Sequence, residues 1–266
     1  MCPVMQELDQ KFTFAKRLCQ LAGSKIMGLR LQNWDVRHKG TQVKIDADII
    51  IEKFLIDEIR KSFPEDEIIS EEEFETTPQK KQHKNYWLLD PIDGTSSFVK
   101  GYDGFCSQMA YIEDGQVIFG VVSVPAYNKI YYAKLNEGSF VEENGLIKKL
   151  GFGKLKEKFT YIDSSQANEE TLKKLNKIGV ENYLECGSFG VKLCFIAEGK
   201  ADLLFKPVEF KTWDIAPGGL ILREAGGEYL SINGEEIEYD LKKIHYHGLF
   251  AASSNELLNK LIDLKF

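Results

Sequence analysis

Residues 86–98, Tyr-Trp-Leu-Leu-Asp-Pro-Ile-Asp-Gly-Thr-Ser-Ser-Phe, restrict the fold of this chain more than any other stretch. Trp87-Leu88-Leu89 has the length and composition of a buried strand. It ends in Asp90, and a second acid, Asp93, follows closely. Pro91 between them narrows the backbone choices on both sides. Gly94 lets the chain turn sharply, and Thr95-Ser96-Ser97 offer hydroxyls and backbone N–H groups where a helix can begin. A buried strand that delivers two hard carboxylates to such a turn suits a divalent cation on the acids and a phosphate on the turn.

The flanking patterns predict how that strand is packed. Leu8, Phe12, Ala15, Cys19, Ala22 and Ile26 recur at helical spacing and predict an amphipathic helix closed near Gly28. Lys39-Gly40-Thr41 reads as a turn. Ile51, Phe54, Leu55 and Ile59 predict a second helix, opened at Asp48 and stopped at Phe63-Pro64. Taken alone, Asp48 is a helix N-terminal charge. Residues 67–70 read as a short strand leading into Glu71-Glu72-Glu73. In isolation such a triplet is a solvated loop, but here it lies between two strands that can aim it at Asp90. Residues 79–84, with Lys80, Lys81, His83 and Lys84, read as a surface loop.

Over residues 106–149, runs rich in Val, Ile, Tyr and Phe are broken by turn clusters and predict a β-meander. Gly151-Phe152-Gly153-Lys154 is the expected hinge between an α+β domain, 1–153, and an α/β domain, 154–266. In the second, strands at 159–162, 201–205, 228–230 and 248–252 alternate with helices at 169–178, 190–197, 213–225 and from Asn255. Asp214 then falls near a helix N-terminus.

The net charge of −7 argues against a surface for a nucleic-acid polymer, though not against a small phosphorylated ligand held through metals. Cys2, Cys19, Cys106, Cys186 and Cys194 are scattered, without a CxxC, and fit reduced thiols. With no apolar run long enough to span a bilayer, the expectation is a cytoplasmic protein with no integral membrane segment.

Asp90-Pro91-Ile92-Asp93-Gly94-Thr95, with Glu71-Glu72 ahead and both Trp213-Asp214-Ile215-Ala216 and Glu224-Ala225-Gly226-Gly227 behind, resembles the inositol monophosphatase superfamily over nearly the whole chain. These are Mg²⁺-dependent phosphatases. The resemblance implies an α/β fold, a layered αβαβα sandwich of sugar-phosphatase type, with the site between the halves. It implies that Glu71, Asp90 and the backbone carbonyl of Ile92 bind one Mg²⁺, and that Asp90, Asp93 and Asp214 bind a second. A third, weaker ion near Glu71 is an option. Thr95 would polarise the attacking water, backed by Asp48, with Glu71 completing the catalytic group. Ile45 stands where the family often has Thr, which leaves Asp46 as an alternative to Asp48; the spacing to Glu52 favours Asp48. Gly94, Thr95, Ser96, Gly187, Ser188, Lys192 and Asp214 are the expected substrate contacts.

Elementary chemistry agrees with that ligand set. Acids gathered in this way repel one another and are costly to bury without cations. An oxygen-only set suits Mg²⁺ better than zinc, and two such ions can clamp an in-line displacement.

Within the superfamily, Ser70-Glu71-Glu72, Tyr86-Trp87-Leu88-Leu89-Asp90 and the stretch from Ser188 through Lys192 to Gly199 resemble the CysQ-type 3′(2′),5′-bisphosphate nucleotidases. That branch implies conversion of adenosine 3′,5′-bisphosphate to AMP and phosphate, in a sulfur-metabolism setting. Lys192 would pair with the phosphate that is not cleaved; otherwise it is a solvated helix lysine. Ser96-Ser97 matches neither branch's usual pair, so inositol 1-phosphate or another sugar phosphate is a second reading. A catalytically silent metal-binding regulatory protein is a third, against which the complete ligand set argues. The expected partner is a small phosphorylated substrate, with a homodimer as an option for assembly. His245-Tyr246-His247 sets two imidazoles on one face of a strand, but no acid or Cys joins them, and a surface or packed strand is the better reading.

Overall fold

The computed structural model describes residues 3–32, 34, 37–39, 42–76, 83–153 and 156–266. Cys2, Gly40 and Thr41 of the expected turn, Lys80 and Lys81 of the expected loop, and Lys154 of the expected hinge lie outside the described residues.

The chain opens with α1 (Pro3–Leu29), a short pair β1 (Arg37–Lys39) and β2 (Gln42–Lys44), α2 (Asp46–Ser62), β3 (Glu67–Ser70) and α3 (Glu71–Thr76). Then come β4 (Asn85–Asp93), α4 (Thr95–Val99), β5 (Cys106–Glu113), β6 (Gln116–Val124), β7 (Lys129–Lys134), β8 (Gly138–Glu143) and β9 (Leu146–Lys149). These seven strands, β3 to β9, form one sheet in sequence order, parallel between β3 and β4 and antiparallel elsewhere. The expected meander is therefore present.

The second half runs β10 (Phe159–Asp163), α5 (Glu169–Asn176), β11 (Val180–Glu185), α6 (Phe189–Glu198), β12 (Leu203–Lys211), α7 (Thr212–Glu224), β13 (Glu228–Ser231), β14 (His245–Ala252) and α8 (Asn255–Ile262). Its sheet has the order β11-β10-β12-β14-β13. β11 is an edge strand the pattern did not predict, β12 and β14 run longer than expected, and the acidic triplet opens a short helix, α3.

Alternation along the strands sorts the side chains into layers, because successive residues point to opposite faces. On β4, Trp87 and Leu89 pack with Ala15, Cys19, Ala22 and Ile26 of α1 and with Ile51, Leu55 and Ile59 of α2. Tyr86 and Leu88 point the other way and pack with α6 and α7. On the smaller sheet Leu204 and Ala251 join that same middle cluster, whereas Leu203, Phe205 and Phe250 meet Leu175 of α5 and Leu257 and Leu261 of α8. The result is a five-layer αβαβα sandwich, as expected. Its middle apolar cluster takes side chains from both sides of Gly151-Phe152-Gly153.

α7 lies hard against the larger sheet. A Cβ on Gly120 of β6 would come 2.7 Å from the Cα of Pro217, so only glycine permits this approach. Among the described residues, no helix is long and apolar enough to cross a membrane.

Candidate active site

β4 loses its regular pairing between Asp90 and Asp93, with Asp90 opposite Gln108 and Asp93 opposite Cys106. Pro91 lies in the irregular stretch, which lets both acids leave the sheet at one end. Gly94 follows at φ 86°, and a Cβ there would sit 2.6 Å from the Gly104 carbonyl oxygen. Both the left-handed backbone and the crowding require glycine. Thr95 then begins α4.

Asp90 is 1% exposed. Its Oδ2 accepts from Gln108 Nε2 at 3.2 Å, and its buried Oδ1 has no hydrogen-bond partner among the described residues. Burial first, then the nearby charges of Glu71, Asp93 and Asp214, push this carboxyl well above the usual carboxylate range. Asp93 Oδ2 is held by Ser188 Oγ at 2.5 Å, Gly190 N at 2.7 Å and Gln108 Nε2 at 3.3 Å. Burial raises its pKa; Ser188, Gly190 and Lys192 pull it back, and the net shift is upward.

Asp214 stands in the first turn of α7, where its Oδ2 accepts from Lys211 N at 2.7 Å. Burial, then Glu71 and Asp93, raise its pKa well above the usual value. Glu71 opens α3, with the Lys211 ammonium 3.4 Å from its Oε1. Glu52 fixes that helix start by accepting from the N–H groups of Glu72 and Glu73, each at 3.1 Å. Four acids from distant parts of the sequence thus face one another.

Asp46 and Asp48 separate clearly. Asp46 is exposed, while Asp48 is 4% exposed, accepts from Ile45 N at 2.9 Å and lies 3.4 Å from Thr95 Oγ1. Thr95 Oγ1 donates to the Ile92 carbonyl at 2.9 Å. Thr95, Ile92 and Asp48 therefore form one chain of contacts, and Asp46 stands outside it.

Two expected substrate contacts are engaged inside the protein. Ser188 is fully buried; its hydroxyl donates to Asp93 and accepts from Val191 N at 3.0 Å. Lys192 is 1% exposed, so the solvated-lysine reading fails. Its ammonium donates to the Gly187 carbonyl at 3.2 Å and lies 3.6 Å from Asp163, and burial lowers its pKa. Gly94, Ser96 and Gly187 are half-buried near the turn. His245 and His247 are exposed on β14, opposite Lys211 and Glu209 of β12 in the ladder.

Gln108 went unnoticed in the sequence. The signal was there: a lone amide inside the apolar run of β5.

A cation fits this donor set. Every candidate ligand is an oxygen, and Asp90 Oδ1 is a buried acceptor that no donor among the described residues reaches. Among the described residues, no three His, Cys, Asp or Glu side chains stand, as placed, in an arrangement that could hold a metal ion.

Comparison with known proteins agrees with the geometry. A model of the inositol monophosphatase family matches residues 7–264. The fructose-1,6-bisphosphatase/inositol-1-monophosphatase of Thermotoga maritima is 29% identical over 244 residues, covering 88% of this chain and 89% of that protein. The 3′(2′),5′-bisphosphate nucleotidase CysQ of Escherichia coli (strain K12) is 30% identical over 229 residues, 84% of this chain and 92% of that one. Among solved structures, the Thermotoga maritima IMPase aligns with a TM-score of 0.79 at 25% identity, over 96% of this chain and 98% of that chain. The chain belongs to the inositol monophosphatase family.

Proposed function

We propose that this chain is a Mg²⁺-dependent phosphomonoesterase that removes the 3′-phosphate of a nucleoside 3′,5′-bisphosphate, turning adenosine 3′,5′-bisphosphate into AMP and phosphate. The observation that carries the metal reading is the buried, unpartnered Asp90 oxygen beside three further acids. Glu71, Asp90 and the Ile92 carbonyl would hold one Mg²⁺, and Asp90, Asp93 and Asp214 a second. When bound, such ions offset the acids and stabilise charge on the attacking and leaving oxygens.

The chain's own groups then have separable tasks. With the Ile92 carbonyl engaged by the metal, the Thr95 hydroxyl would swing its proton from that carbonyl to Asp48 Oδ1, 3.4 Å away, which leaves a Thr95 lone pair to orient the attacking water. The backbone N–H groups of Gly94 and Thr95 face the phosphate. Residues 1–153 would supply Glu71, Asp90, Asp93 and Thr95, and residues 154–266 would supply Asp214, so the substrate lies where the two meet.

The CysQ relative and the motifs around Tyr86 and Ser188 favour the nucleotide. The Thermotoga maritima relative, named for fructose 1,6-bisphosphate and inositol 1-phosphate, favours a sugar phosphate as the second reading. Phosphate release with Mg²⁺ from all three compounds decides between them. The expected result is a kcat/KM at least about tenfold higher for the nucleotide, a difference of ~1.4 kcal/mol in transition-state binding. Preference for a sugar ester selects the second reading, and no release from any of the three overturns the enzymatic one.

A further inference from the structure

We propose that Gln108 is a positioning residue, whose buried amide sets the orientation of Asp90 and Asp93 and ties both to the first turn of α7. The inference rests on the metal reading of the site given above.

Gln108 is fully buried in β5, directly across the ladder from Asp90. Its neighbours on that strand face, Cys106 and Ala110, belong to the middle apolar cluster. Burying a primary amide in such surroundings is unfavourable by about 1–3 kcal/mol unless hydrogen bonds offset it. Gln108 Nε2 lies 3.2 Å from Asp90 Oδ2, 3.3 Å from Asp93 Oδ2 and 3.0 Å from the Asp214 carbonyl oxygen. Its two N–H groups are thus shared among three acceptors, one of them from the other half of the chain.

The amide's orientation follows from those partners. Exchanging its oxygen and nitrogen would set Oε1 against three oxygens. As placed, Oε1 is buried without a hydrogen-bond partner, against Gly190, where a Cβ would come 2.3 Å from it. An amide present only to fill space would not leave its oxygen unsatisfied; what it contributes is the nitrogen. Because the amide engages Oδ2 of Asp90, the Oδ1 atom is turned away from it, and that is the atom with no protein partner. Donors that fix a ligand's rotamer in this way typically change metal affinity by tens of fold.

The test uses the full chain, stripped of metal with a chelator and titrated with Mg²⁺ by calorimetry. Gln108→Met keeps the length and removes both N–H groups. Gln108→Asn keeps the amide but is one methylene too short, and it decides the matter if the Met variant does not fold. In both, Mg²⁺ affinity is expected to fall about tenfold or more, with kcat largely restored at saturating Mg²⁺ and the circular dichroism unchanged. Variant isotherms within about twofold of the parent's overturn the inference, even where the melting temperature drops, because a packing role alone lowers stability without moving affinity. If the unaltered chain binds no Mg²⁺, the metal reading itself fails and this inference goes with it.

Discussion

Two groups of buried or half-buried acid lie at opposite ends of α6 and are treated in opposite ways. At its C-terminal end Glu198 meets Lys129 Nζ and Tyr131 OH, each at 2.5 Å, and Lys200 Nζ at 3.1 Å. Burial pushes this carboxyl upward, but Lys129 and Tyr131 outweigh it and hold the pKa below the usual value. At the N-terminal end, Asp93 and its neighbours Asp90 and Asp214 stay above theirs. There the donors to Asp93 Oδ2 are a serine, a backbone N–H and a shared amide. One region supplies its own cations and is finished when the chain folds. The other is left short of positive charge, and that deficit is what a metal site requires.

The contrast is broken most severely by neutralising one member of the deficient group. Asp93→Asn is expected to reduce kcat/KM by about a thousandfold, ~4 kcal/mol of barrier. The fold should survive, since asparagine still offers one oxygen to Ser188 and Gly190. Glu198→Gln should leave kcat/KM within about twofold. A phosphate-release assay that found Asp93→Asn active would remove Asp93 from the ligand set.

Next in size is the response to chelation. Removing Mg²⁺ should lower the melting temperature and stop turnover, because only the deficient acids depend on an outside ion. Mg²⁺ returned at a hundred times its dissociation constant should restore about 2.7 kcal/mol for each site filled. A melting curve indifferent to both treatments would show that the acids are balanced by other means.

The smallest effect is on the self-sufficient side. Glu198→Gln should cost about 1–3 kcal/mol at neutral pH, read from urea midpoints. The sign of its pH dependence follows from a folded pKa lower than the unfolded one. The contribution is present above the ordinary glutamate range, near pH ~4.3, and is lost as pH falls through that range to the lower folded value. The gap between parent and variant should therefore shrink on acidification. A gap that persisted in acid would assign the stability to packing instead of charge.

Most of this was legible wherever period and chemistry coincide. The strand with Trp87 and Leu89, the first helix through Ile26 and the acids at 90 and 93 each carry a local pattern that burial later uses. β11 carried none: Val-Glu-Asn-Tyr-Leu-Glu is an edge strand with largely solvated side chains, held by its ladder with β10. The placement of the acidic triplet between two strands pointed it at Asp90, but its helical form did not show, because that helix start is fixed by Glu52, a contact no local window contains. The spacing to Glu52 favoured Asp48 over Asp46, and the reason is facing, which is set where α2 meets Thr95. Gln108 looks ordinary as a letter; what distinguishes it is complete burial beside charge.

The grip of Ser188 and Gly190 on Asp93 has a bearing on how the protein is made. Asp93 leaves the ribosome well before the segment that orients it, and Asp214 later still. Until then, the earlier acids belong to a nascent chain without their eventual neighbours. On the proposed reading, neither metal capture nor catalysis can precede the emergence of Asp214, and a chain stopped before that residue would carry the conspicuous motif without the means to use it.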